Sequence, residues 1–101
     1  MNLAASYATA GNHERAAREE QAVVEGFAAT LGPRHADTLF AQASLAYTRR
    51  LQGDVQAAVA LLEVAAPGLE AAGHFQAAWA RQALDAARAA LRAAQPEPEP
   101  A

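Results

Sequence analysis

Four glycine-centred breaks divide this 101-residue chain into segments of helical length. Each break combines residue types that are typical of turns. They are Gly11-Asn12, Gly32-Pro33, Gly53-Asp54 and Gly73-His74. About thirty residues are alanine, the best helix former, whereas the β-branched and aromatic residues that a β-sandwich needs are few. The sequence therefore predicts an all-α fold, and its length is typical of a single domain.

The breaks predict five helices. The segments are Met1–Ala10, Asn12–Leu31, Ala36–Gln52, Asp54–Ala72 and Phe75–Ala94. Asn12 and Asp54 are expected to be N-caps, because their side chains can accept a hydrogen bond from an early helical N–H. Asp37 or Thr38 can satisfy the early amides of the third helix in the same way. Pro67 is expected to kink or split the fourth helix, because proline lacks that N–H.

The composition excludes several classes of protein. The chain has no cysteine, which excludes a disulfide framework and a thiolate zinc site. It has no apolar run long enough to cross a membrane, and a net charge of −3 with scattered arginines argues against nucleic-acid binding. The N-terminus lacks a secretory signal pattern, so a cytoplasmic location is expected. Residues 1–94 are expected to form the helical domain, and the Pro/Glu-rich residues 95–101 a solvated, flexible tail.

Catalytic chemistry is not expected. Three histidines, His13, His35 and His74, are the side chains that titrate near neutral pH, and their spacing matches no metal-binding motif. We expect them to be solvated or hydrogen-bonded locally. The chain also lacks a glycine-rich phosphate loop and a nucleophile elbow. The sequence therefore predicts a protein that is not an enzyme and that needs no metal or other cofactor.

An internal repeat organises the chain, and a single shift of the sequence against itself brings its copies into register. The aligned residues are Leu3-Ala4 with Leu45-Ala46, Gly11 with Gly53, Asn12 with Asp54, Ala16 with Ala58, and Gly26 with Gly68. Chance matching between two alanine-rich helices is the alternative, but glycines and a capping residue in register are harder to obtain by chance. A helix, a turn and a helix at a fixed period indicate an α-solenoid.

These residues resemble the tetratricopeptide repeat, in the long form found in kinesin light chains and in many bacterial regulators. The repeat motif is matched by Leu3-Ala4, Tyr7, Gly11 and Ala16. It recurs as Leu45-Ala46, Gly53 and Ala58, although Arg49 replaces the tyrosine. Residues 31–39 are similar to the linker of those repeats. The resemblance implies two helical hairpins and a peptide-binding groove lined by the first helix of each repeat.

The last predicted helix is expected to be the first helix of an incomplete third repeat, acting as a C-terminal cap. His74 repeats His35, and with these two aligned, Ala41 and Leu45 fall on Ala80 and Leu84. A polar stripe suited to water consists of Arg81, Asp85, Arg88 and Arg92. An apolar side expected to face the fourth helix consists of Phe75, Trp79, Ala83, Leu84, Ala87 and Leu91.

The resemblance places Leu45 and Ala46 inside the repeat and leaves other side chains of the same helix for the groove. The candidate partner-binding residues are Phe40, Tyr47 and Arg50, with Trp79 and Gln82 as their counterparts on the last helix. Aromatic residues and arginine often carry interface energy. The alternative for Phe40 and Trp79 is that they fill space between successive helices.

The sequence thus predicts a non-enzymatic module that binds a protein or peptide partner. The first helix has no N-cap and would expose Leu3 or Tyr7, so self-association into a homo-oligomer through that end is also expected. The alternative is a structural or oligomerisation segment, or a fragment of a larger bacterial repeat array, with no ligand of its own.

Overall fold

The structure, a computed structural model, describes residues 10–94, with side chains from residue 12 onward. Over that range the chain forms no strand and four α-helices, which are α1 (Ala10–Leu31), α2 (Ala36–Leu51), α3 (Val55–Ala71) and α4 (Ala77–Ala94). The all-α prediction is confirmed. The predicted first helix, with Leu3 and Tyr7, and the tail at residues 95–101 lie outside the described residues.

Three of the four predicted glycine breaks end helices. Gly32, Gly53 and Gly73 have φ angles of 101°, 89° and 65°, a conformation that glycine adopts because it has no Cβ. At Gly53 and Gly73 the turn is closed in the same way. The glycine N–H donates to the carbonyl three residues back, and the next N–H donates to the carbonyl five residues back. Both turns are therefore Schellman ends of a helix.

The break predicted at Gly11-Asn12 is wrong. Helix α1 begins at Ala10 and runs through both residues, so Asn12 is not an N-cap. A glycine inside a helix costs about 1 kcal/mol relative to alanine, which the remaining turns of a 22-residue helix can offset. Gly11 therefore differs in conformation from Gly53, the turn glycine with which the repeat aligns it.

Pro67 does not split its helix. Helix α3 is continuous from Val55 to Ala71 and contains Pro67. The carbonyl that proline leaves without a helical donor belongs to Glu63, and Glu63 and Pro67 are both exposed. Water can bind that carbonyl, so the helix continues without a buried unpaired group.

The helices pack in chain order. Helix α1 contacts α2, α2 contacts α3, α3 contacts α4, and α2 also touches α4. The larger core cluster contains Leu39, Leu62, Leu69 and Leu84, together with buried alanines of α2, α3 and α4. A smaller cluster joins Ala17 and Val24 of α1 to Ala41 and Leu45 of α2. Helices α2 and α3 are thus each covered on two sides.

Gly68 allows α2 to lie close to α3. A Cβ at this position would overlap Cδ1 of Leu39, a buried side chain of α2. Gly26, which the repeat aligns with Gly68, has no atom within 4 Å of the equivalent point. The two aligned glycines therefore have different surroundings.

The spacing of Ala16, Val23, Val24, Phe27 and Leu31 predicts one apolar face on α1, and this prediction is largely wrong. Of its members only Val24 is buried, whereas Val23, Phe27 and Leu31 are 46%, 37% and 42% exposed. Ala17 is buried instead. Among the described helices, α1 contacts only α2. It therefore buries only the side chains that face α2 and leaves its other apolar residues exposed.

The faces predicted on the last two helices, which include a second apolar side of the fourth helix at Leu61 and Val64, need smaller corrections. Val64 of α3 is 58% exposed and Phe75, which precedes α4, is 83% exposed, so neither faces a neighbouring helix. Leu84 and Ala87 of α4 are buried, as predicted. Trp79, Ala83 and Leu91 are half-buried and pack against the larger cluster.

The polar stripe of α4 is not simply solvated. Arg81 donates two hydrogen bonds to Glu70, from Nε at 2.9 Å and from Nη2 at 2.6 Å. Arg88 donates one to Glu63 at 3.1 Å. The hydrogen bonds from Arg81 hold the pKa of Glu70 below its ordinary value. Two of the four predicted polar residues therefore tie α4 to α3.

Candidate protein-binding surface

An aromatic row crosses from α2 to the start of α4. Ring centroids lie 6.4 Å apart for Tyr47 and Trp79, and 6.1 Å apart for Trp79 and Phe40, which meet edge to face. Phe40 then stacks on His74 at 5.7 Å, and His74 stacks on Phe75 at 4.7 Å. These separations are those of favourable ring pairs. The five side chains are called the aromatic row below.

Helical spacing and the contact between α2 and α4 create this row. Phe40 and Tyr47 are two helical turns apart and so lie on one face of α2, while Trp79 lies in the first turn of α4. Phe40 and Trp79 are half-buried against the larger core cluster, so they do fill space between helices. Tyr47 is 45% exposed and offers the most accessible ring of α2. Leu51, one turn further along, continues its face and is also exposed.

Two of the five predicted binding residues are not part of the aromatic row. Arg50 and Gln82 are both exposed. Arg50 follows Ala46 by one helical turn, and Ala46 packs in the cluster shared with α3, so Arg50 lies at the end of that face. Gln82 shares the outward face of α4 with the exposed Asp85. The structure therefore brings Phe40, Tyr47 and Trp79 together, and Arg50 and Gln82 lie on other helix faces.

His74 is held in the row by a local hydrogen bond. Its Nδ1 accepts the N–H of Gln76 at 3.0 Å, and Nδ1 of His35 accepts the N–H of Asp37 at 3.1 Å. Each histidine thus satisfies an amide at the start of a helix. The prediction of locally hydrogen-bonded histidines is confirmed for His35 and His74, whose alignment is matched by their geometry, whereas Nε2 of His13 is buried without a hydrogen-bond partner among the described residues.

The other helix caps are partly as predicted. Asp54 caps α3, because its Oδ1 accepts the N–H of Ala57 at 3.2 Å. Thr38, a predicted cap of α2, instead donates its hydroxyl to the carbonyl of Gly32 at 2.8 Å. Thr38 is fully buried, and this hydrogen bond satisfies its hydroxyl. His35 performs the capping in its place.

A hollow of about 210 Å³ lies between α1 and α2. Its lining consists of Glu20, Val23 and Phe27 from α1 and Phe40, Ala41 and Ser44 from α2. The hollow adjoins the aromatic row through Phe40, which belongs to both. We call it the α1–α2 hollow. Sequence reasoning missed it, although the spacing of Glu20 from Val23 and Phe27 places a carboxylate on an apolar face.

Glu20 is the one charged group in the lining of the α1–α2 hollow. Its Oε1 is buried and has no hydrogen-bond partner within the described part of the chain. Burial raises the pKa of Glu20 above its ordinary value, and the Thr48 hydroxyl and the charge of Arg49 partly oppose that shift. The neighbouring Arg15 and Arg18 pair with Glu19 and Glu14 along α1.

Residues 12–94 contain no group of three histidine, aspartate or glutamate side chains placed to hold a metal ion. None of the helices α1 to α4 combines the length and the apolar character that a membrane span requires. Comparison with protein-family models, with curated proteins and with solved structures finds no match. The likeness to tetratricopeptide repeats therefore depends on the residues of this chain alone.

Proposed function

We propose that this chain is a tetratricopeptide-like α-solenoid, with α4 as a capping helix, and that it binds a peptide or helix of a protein partner without catalysis. A cytoplasmic location is part of the proposal. Packing in chain order supports it, and so does the contact between α2 and α4. In such an array the first helices of successive repeats lie side by side, and α2 and α4 would be those helices.

The burial pattern supports the equivalence of α2 and α4. With His35 aligned on His74, the three buried positions of α4 fall on buried positions of α2, and the half-buried rings of Phe40 and Trp79 also align. The buried pairs are Ala41 with Ala80, Leu45 with Leu84, and Thr48 with Ala87. On α2, Ala43 and Ala46 pack in the cluster shared with α3.

The positions of α4 that align with Ala43 and Ala46 are Gln82 and Asp85. Both are exposed and polar. Helix α4 is thus polar on the face that α2 packs against α3. A polar outer face is typical of the capping helix of a repeat array.

The observation that carries the binding function is the aromatic row. Tyr47 and Leu51 are exposed. Trp79 and Phe40, in the same row as Tyr47, pack against the larger core cluster. Amphipathic rings held in place by a core lose little entropy on binding and are enriched in interface centres. Two repeats offer a shallow groove, so we expect micromolar affinity, about −8 kcal/mol.

A second candidate function is that of a structural or oligomerisation segment, including a piece of a larger repeat array. The exposed apolar side chains of α1 favour it, because Val23, Phe27 and Leu31 follow one another at intervals of one helical turn on one side of the helix. Association would bury these side chains. Sedimentation velocity at high micromolar concentration tests this candidate, and a clean monomer contradicts it.

A peptide selection tests the binding function. Random peptides displayed on phage are selected on the immobilised chain and then titrated in solution while the emission of Trp79, the sole tryptophan, is followed. The double variant Tyr47→Ala and Arg50→Ala should abolish binding with its helicity, measured by circular dichroism, unchanged. Val64→Ala, an exposed change on α3, is the matched control and should bind normally. Selected peptides that bind the double variant as well as the native chain would contradict the proposal.

A further inference from the structure

The α1–α2 hollow combines apolar walls with one carboxylate. Val23, Phe27, Phe40 and Ala41 supply the walls, and the space of about 210 Å³ suits one large side chain. Val23 and Phe27 are 46% and 37% exposed, so an occupant would remove apolar surface from water, which is the main favourable term in association.

The carboxylate of Glu20 gives the hollow a preference for charge. A buried polar oxygen without a hydrogen bond is unfavourable, and Oε1 of Glu20 is such an atom within the described residues. Burial raises the pKa of Glu20 above its ordinary value, although the Thr48 hydroxyl and the positive charge of Arg49 each lower it. A cationic group placed in the hollow would be attracted to this carboxylate, which lines the hollow.

Helix α3 provides a comparison for this face of α1. The repeat, which brings Gly26 onto Gly68, aligns Glu20, Val23 and Phe27 of α1 with three apolar positions of α3. These positions are Leu62, Ala65 and Leu69. All three are buried in the cluster that contains Leu39, Ala43 and Ala46 of α2. The corresponding face of α1 therefore differs from that of α3 in having a glutamate at the position of a leucine and in remaining partly exposed.

We infer that the α1–α2 hollow binds a segment of the partner protein that presents an apolar side chain next to a guanidinium or ammonium group. The apolar side chain packs on Val23, Phe27 and Phe40, and the cation pairs with the carboxylate of Glu20. The inference rests on the proposed binding function and specifies the chemistry of the partner. Because Phe40 belongs to the hollow and to the aromatic row, one bound segment can contact both.

Small probes test the inference without a known partner. Benzamidinium has a flat apolar ring and a cationic donor pair, whereas benzyl alcohol lacks the charge and benzoate reverses it. Each is titrated at pH 7 into the ¹⁵N-labelled chain, and amide shifts are followed by NMR. We expect benzamidinium to shift the amides of Glu20, Val23, Phe27 and Ser44, and benzoate to leave them unchanged.

Two variants separate the charge of Glu20 from the general acidity of α1. Glu20→Gln should weaken benzamidinium binding about five-fold, as expected for a partly exposed ion pair with a hydrogen bond. Glu25→Gln, an exposed change on the same helix, is the matched control and should leave the dissociation constant unchanged. Circular dichroism of both variants verifies that the helices form.

Three outcomes would overturn the inference. Equal binding of benzamidinium and benzyl alcohol would show that Glu20 does not select a cation, and the absence of shifts at the hollow would show that it binds neither. Amide shifts at the hollow that appear on raising the concentration of the chain alone would show that a second copy occupies it. In each case, loss of selected-peptide binding in the Tyr47 and Arg50 double variant would still support the proposed function by itself.

Discussion

Replacing Gly68 with alanine tests the packing of α2 on α3. The new Cβ would overlap Cδ1 of Leu39, while Cγ and Cδ2 of Leu39 would lie at 3.6 and 3.7 Å, ordinary contact distances. Leu39 is 4% exposed, so one methyl group must move within a packed core. Overpacking of this kind costs about 1–3 kcal/mol, and the gain in helix propensity returns up to about 1 kcal/mol. We expect a net loss of up to about 2 kcal/mol in the free energy of unfolding.

Gly26→Ala is the matched control, because it makes the same change inside α1 where no atom lies within 4 Å of the new Cβ. It should gain up to about 1 kcal/mol from helix propensity alone. The difference between the two variants, about 1–3 kcal/mol, isolates the displacement of Leu39. For a domain of this size, each kcal/mol corresponds to about 4–8 °C in Tm.

Urea unfolding followed by circular dichroism measures both variants, and an unchanged m value shows that the unfolding reaction is the same. In a Leu39→Val background, which lacks Cδ1, Gly68→Ala should lose most of its penalty. Equal stabilisation by Gly26→Ala and Gly68→Ala would refute the reasoning, because it would mean that Leu39 does not occupy the space above Gly68.

The remaining predictions concern a helix cap, the core and two carboxylates. Asp54→Ala should lower the free energy of unfolding by about 1 kcal/mol in urea titrations, because it removes the cap of α3, and no loss would contradict that cap. Leu84→Ala should lower it by about 2–5 kcal/mol, since Leu84 is fully buried; a loss within experimental error would place Leu84 outside the core. The pKa of Glu20 is raised by burial, so its contribution to stability is present below the ordinary value of 4.5 and is lost as pH rises through the folded-state pKa. This loss should lower the Tm of the native chain between acidic and neutral pH. Glu20→Gln should remove that fall in Tm. The pKa of Glu70 is lowered by the hydrogen bonds from Arg81, so its contribution is present above 4.5 and is lost as pH falls through the folded-state pKa; Glu70→Gln should therefore lower Tm at pH 7 and make little difference in acid.

Part of the candidate binding surface was predictable from the sequence. The spacing of Phe40 and Tyr47 places them on one face of a helix, and the repetition of His35 at His74 aligned Trp79 with Phe40. The spacing of Leu51 from Tyr47 likewise places Leu51 on the same face of the helix. Glu20 was not predicted, because its role depends on which face of α1 meets α2, and that face is centred on Ala17 and Val24.

Local chemistry determined several of the helix ends of this protein before any packing is considered, although not the start of α1. The turns at Gly53 and Gly73, the cap at Asp54 and the high alanine content act over short stretches of chain, and the sequence displays them directly. Only the tertiary structure decided which apolar side chains are buried, that Arg81 pairs with Glu70, and that Gly68 but not Gly26 faces a neighbour. The physical reason is that burial and ion pairing depend on residues that are distant in the chain and become neighbours only when the helices pack. Identical residue types on two helices therefore acquire different environments.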